Sequence, residues 1–80
     1  MTKKEARQFR AALRKRRLDI GATLPDVAKK IPMDQATLYK WEVGIVPVLP
    51  QYKRDVWTRA VIACEKEHAD TARVQSAGIA

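Results

Sequence analysis

The sequence predicts an all-α fold, a compact bundle of four to five helices built around a central helix-turn-helix. Three observations predict it. Apolar residues recur at three- and four-residue spacing through most of the chain. Capping and breaking residues, Thr23, Asp34, Gly21, Gly44, Pro32 and Pro50, divide those periodic stretches into short lengths. Two of the lengths are brief and lie only a few residues apart, as a helix-turn-helix requires.

The first helix is placed at about 4–18, where Ala6, Phe9 and Leu13 form an apolar stripe beside Arg7, Arg10 and Arg14. Gly21 ends it at positive φ. Thr23 caps a second helix at about 24–30, with Pro25 and Asp26 in its first turn. There a missing N–H costs nothing and a carboxylate suits the dipole. Pro32 then drives Ile31 out of the helical region. Asp34 caps a third helix, Gln35 to Glu42, which Gly44 closes; Leu38 and Trp41 share its apolar face. The linker 45–50 holds two prolines and is extended. Pro50 opens a fourth helix at about 50–68, whose stripe is Tyr52, Val56, Trp57, Ala60, Val61 and Cys64. Small and polar residues follow, so 1–68 is read as one domain and 69–80 as a flexible tail.

Eighty residues give a small core and leave little room for a large catalytic pocket. Sixteen Lys and Arg against nine Asp and Glu leave a net charge of +7, which favours a polyanionic partner. Eight of the sixteen lie within residues 3–17, where Glu5 is the one acid. Such a run is either a contact surface or a solvated helix face. The sole cysteine, Cys64, reads as a core residue, and the sole histidine, His68, has no partner set. With no clustered carboxylates beside them, the chain offers no acid–base pair, metal set or cofactor motif, and no enzyme is expected. The absence of a signal peptide or an apolar stretch of about 20 residues points to the cytoplasm and away from a membrane.

The string Leu13-Arg14-x-x-Arg17-x-x-x-Gly21-x-Thr23-x-x-x-Val27-Ala28-x-x-Ile31-x-Met33-Asp34-x-x-x-Leu38-x-x-Trp41-Glu42-x-Gly44 resembles the phage-repressor helix-turn-helix proteins, the Cro and lambda-repressor-like (XRE-type) DNA-binding family. The likeness spans 32 of 80 residues. It implies a lambda-repressor-like fold, a third helix laid in the major groove of double-stranded DNA, and a dimeric repressor, with nucleoid association following from DNA binding. It also implies roles. Gln35 and Ala36 match the principal base-reading positions, and Thr37 and Lys40 match secondary ones. The chemistry agrees: Gln pairs bidentately with adenine, Lys reaches guanine, and Ala or a Thr methyl meets the thymine methyl. Tyr39 is expected to face phosphates. Arg17 and Glu42 match a salt bridge between the first helix and the end of the third.

The chain departs from the family where Leu24 replaces a phosphate-touching Gln and Pro32 replaces a turn Gly, so the turn should be reshaped. The uncharged segment after the third helix also departs from basic relatives. Backbone contacts are therefore expected from Lys3, Lys4, Arg7, Arg10 and Arg14, with Lys53 and Arg54. Ile45, Val46, Val48 and Leu49 are either core beneath the fourth helix or a self-complementary dimer surface. The alternative function is an antitoxin-like or accessory module that docks a protein partner through this segment, with DNA binding secondary.

Overall fold

The computed structural model describes residues 2–31, 33–46 and 48–79, with 73–79 as backbone alone. Four helices follow one another: α1 Lys3–Asp19, α2 Leu24–Ala28, α3 Gln35–Val43 and α4 Gln51–Ile79. No strand occurs among the described residues, and the fold is an all-α helical bundle.

Each start has a local cause. Thr2 and Glu5 form a capping box on α1: the Glu5 N–H donates to Thr2 Oγ1 (3.1 Å) and the Thr2 N–H donates to Glu5 Oε1 (3.2 Å). That box sets α1 one residue earlier than its apolar stripe suggests. Thr23 and Asp26 repeat the device on α2. Asp34 caps α3, its Oδ1 accepting from the Thr37 N–H at 2.9 Å. Gly21 (φ 70°) and Gly44 (φ 86°) hold the left-handed conformation that closes α1 and α3.

Two helix ends differ from the sequence reading by two residues or more. α2 stops at Ala28 instead of 30, because the ladder tightens to i−3 bonds there: Lys30 N–H donates to Val27 O (3.0 Å) and Ile31 N–H to Ala28 O (3.2 Å). The expected reshaping of the turn at Pro32 falls on a residue outside those described, as does Pro47. α4 is the larger correction. It does not give way to a tail at 69 but continues to Ile79, since residues 65–77 contain no Gly or Pro and include Ala69, Ala72 and Ala77. At 29 residues it accounts for most of the molecule's 49 Å long axis.

The core gathers Leu13 of α1, Val27 and Ala28 of α2, Ile31, Leu38 and Trp41 of α3, Leu49, and Trp57, Ala60, Val61 and Cys64 of α4. Trp57 is its centre, edge-on to Phe9 (5.8 Å between centroids) and tilted against Trp41 (6.2 Å). Burial lifts the Cys64 thiol pKa, and Sγ approaches the Asp26 carbonyl at 3.6 Å, joining α4 to α2. Tyr52 and Val56, expected in the α4 stripe, lie outside it and are exposed. At about 100° per residue they stand roughly 140° and 100° from Trp57, beyond the buried sector. Leu49 is buried among the core side chains, which removes it from any surface role.

Outside the core, ion pairs tie α4 to the rest. Arg16 Nε donates to Glu65 Oε2 (3.0 Å) and Nη2 to Oε1 (2.5 Å), and Lys30 pairs with Glu67. The Arg16 hydrogen bonds hold the Glu65 carboxyl below its ordinary pKa. None of these long-range pairs has a sequence signal, because their members lie 37 and 49 residues apart.

Candidate nucleic-acid interface

α3 is anchored by its back. Leu38 is fully buried and Trp41 nearly so, at positions three apart that fall on one face. The opposite side is open: Gln35, Ala36, Tyr39 and Lys40 are exposed and Thr37 is half-buried. Asp34 fixes where that open side begins. Hydrogen bonds from the Thr37 side chain and backbone hold its carboxyl below the ordinary value, so the cap stays charged at the positive end of the helix dipole. The result is a rigid rod presenting an amide, a methyl, a phenol and an ammonium to solvent from its first two turns.

The far end of α3 is held differently. Arg17 Nε donates to Glu42 Oε2 at 3.0 Å and Nη2 to Oε1 at 2.6 Å, while Nη1 donates to the Ala22 carbonyl at 2.9 Å. One guanidinium thus ties α1, the α1–α2 loop and α3 together. The pair is largely withdrawn from water, the side chains being 11% and 5% exposed. Arg14, 62% exposed, adds a second cation 3.4 Å from the same carboxylate. Arg10 reaches the next residues: its guanidinium lies over Gly44. Sequence reasoning missed both contacts, assigning Arg10 and Arg14 to phosphates alone. Residues 10, 14 and 17 share one stripe of an α-helix, but Lys3 and Arg7 share it too and stay exposed, so spacing alone does not single them out.

The remaining basic residues divide into two groups. Lys3, Lys4 and Arg7 are exposed on the first turns of α1. Lys53 and Arg54 are half-buried at the start of α4. The Lys53 ammonium sits 6.0 Å from the Trp41 ring and 6.0 Å from Tyr52, a cation–π position that leaves it beside α3. Thr2 hydrogen bonds lower the Glu5 pKa, with a smaller contribution from the Arg54 charge. The structure therefore brings Arg10, Arg14 and Arg17 of α1 and Lys53 of α4 against α3.

Beyond α3 the chain leaves an apolar surface. Ile45 is 63% exposed, and Val43, Val46 and Val48 are also exposed, as are Tyr52 and Val56 on the first turns of α4. A separate groove of about 360 Å³ runs between Gly21, α2 and α4, where Asp26, Lys30, Cys64 and Glu67 line it. Among the described residues no group of three or more His, Cys, Asp or Glu is arranged to hold a metal, and no helix is long and apolar enough to cross a membrane. No family model, curated protein or solved structure matches the chain.

Proposed function

We propose that this protein is a sequence-specific double-stranded DNA-binding regulator that lays α3 in the major groove and acts as a dimeric repressor. One observation carries the reading: a short helix with a buried apolar back projects Gln35, Ala36, Thr37 and Lys40 from its capped start. These are the groups that read base edges, Gln on adenine, Lys on guanine, small apolar groups on the thymine methyl. The +7 charge and the exposed Lys3, Lys4 and Arg7 supply attraction to phosphates, and the exposed Tyr39 of α3 offers a hydroxyl to a phosphate. The likeness of residues 13–44 to the phage-repressor proteins supports the same reading and is the source of the repressor assignment.

The exposed Ile45, Val46 and Val48 are assigned to a two-fold interface, continued by Val43 and Tyr52. A dimer would set two copies of α3 about one DNA turn, ~34 Å, apart. The same apolar surface favours a second reading, a module that docks a protein partner there and binds DNA secondarily.

In vitro selection from a random duplex library at moderate salt tests the choice. Enriched sequences that converge on an inverted repeat, with half-sites one turn apart, support the dimeric regulator. Failure to converge rejects base reading and favours the docking module. Affinity for the selected site should also fall steeply with salt, about 10³- to 10⁵-fold from 50 to 200 mM if some six to ten phosphates are contacted.

A further inference from the structure

α1 carries Lys3, Arg7, Arg10, Arg14 and Arg17 within one stripe about 80° wide. Its outer members, Lys3 and Arg7, are exposed, whereas its inner members converge on the last turn of α3. Arg10 is the least obvious of these. A Cβ built on Gly44 would stand 2.8 Å from Arg10 Nη2, 2.9 Å from Cζ and 3.0 Å from Nε, so the flat guanidinium covers the glycine. Gly44 is also where α3 terminates, its N–H and that of Ile45 both donating to the Lys40 carbonyl at 3.2 and 3.0 Å. The carbonyls of a last helical turn carry the negative end of the dipole, and a cation held beside that turn is favourable.

We infer that Arg10 is a positioning residue which seats the C-terminal turn of α3 and thereby fixes the angle at which Gln35 to Lys40 meet a duplex, and that it is not a phosphate contact. Its consequence for binding rests on the DNA-binding reading above; its consequence for the free protein does not. Glycine at 44 is favoured by its positive φ, and a Cβ there would have to displace the flexible guanidinium above it. Removing Arg10 loosens one end of a nine-residue helix without altering any side chain that reads bases.

The test measures amide hydrogen exchange at Gly44 and Ile45 in free Arg10→Ala, Arg10→Lys and Lys3→Ala proteins, with helical content checked by circular dichroism. Binding to a selected and a scrambled duplex is then followed against salt. Arg10→Ala should speed exchange at both amides about three- to fivefold, the scale of a cation at a helix C-terminus. Arg10→Lys should not restore the parent rate, because a point charge on a flexible stem lacks the planar contact. On DNA, Arg10→Ala should lose preference for the selected duplex at an unchanged salt slope, whereas Lys3→Ala should lower the slope by about 0.9 and leave exchange alone. Unchanged exchange in Arg10→Ala overturns the inference, and so does a slope lowered by about 0.9, which marks a phosphate ligand. If Arg10→Ala does not fold, Arg10→Lys is read in its place, with the same exchange criterion. If the parent selects no duplex, the DNA reading fails while the exchange result still decides where Arg10 acts.

Discussion

The two ends of α3 are built on opposite plans. Its first turns are fixed by one cap, Asp34, and by the buried Leu38 behind them, and their outward side chains are bare. Its last turn is gripped from outside by arginines of α1, two on Glu42 and one over Gly44. A helix that must read a groove cannot have its reading face covered. Under the proposed function, the rigidity that a precise docking angle needs would come from the opposite end and from behind. In the proposed regulator the arginine end sets the angle and the capped end makes the contacts.

Substitutions that strike the two ends separately break or sharpen this contrast. The largest effect is expected from Leu38→Ala, which empties the socket holding α3 to the core. A fully buried leucine lost in this way costs about 2–5 kcal/mol, a large share of the stability of an 80-residue chain. Urea unfolding measures it, and a loss under about 1 kcal/mol would mean that the arginines alone hold the helix. Next comes Arg17→Ala, which strips a nearly buried carboxylate of its bidentate partner and should cost about 3 kcal/mol. Arg14 is close enough to compensate. A small loss in Arg17→Ala that becomes large in the Arg14→Ala/Arg17→Ala double variant would show the two cations to be interchangeable at Glu42. Gln35→Ala belongs to the other end. It should leave urea stability within about 0.5 kcal/mol of the parent and weaken binding to the selected duplex by about 1–3 kcal/mol, relaxing preference at one base pair. Equal weakening on all sequences would move Gln35 from base reading to general contact.

The same contrast explains what was legible in the sequence. The capped end is a local construction: Asp34, its N–H partner three residues on, and Leu38 and Trp41 at helical spacing all lie within one short segment. Gly21 and Gly44 could likewise be placed by their position after a periodic run. The Arg17 and Glu42 pair, 25 residues apart, was reachable only through the family pattern. The contacts of Arg10 and Arg14 were not, because nothing in a basic run says which members turn inward. Leu49 and its neighbours Ile45, Val46 and Val48 illustrate the same limit. Four aliphatics in a linker with no helical or strand repeat have no periodicity to sort them, and only packing separates the buried one from the three exposed. α4 ran past its expected end for the opposite reason, since helix propensity alone extends it where no apolar stripe remains.

The smallest expected effect concerns the cap and its dependence on pH. Asp34 has a carboxyl whose ordinary pKa is 3.8 and which the Thr37 side chain and backbone hold lower in the fold. The unfolded chain therefore binds the proton more readily, so the stability due to this group is complete above the unfolded value and drains as pH falls through the folded one. Asn at the same place keeps an oxygen to accept the Thr37 N–H, and it ranks with Asp as a cap, but it has no proton to gain. Between about pH 5 and pH 2 the Asp34→Asn protein should lose thermal stability less steeply than the parent, while matching it closely near neutrality. Melting temperatures across that range test this. Parallel curves would shift the acid sensitivity to Asp26, held low by backbone and side-chain hydrogen bonds with Thr23, or to Glu65, held low by its hydrogen bonds with Arg16. The start of α3 would then owe its order to the buried Leu38 alone, and the two ends of the helix would differ in their anchors but not in their response to acid.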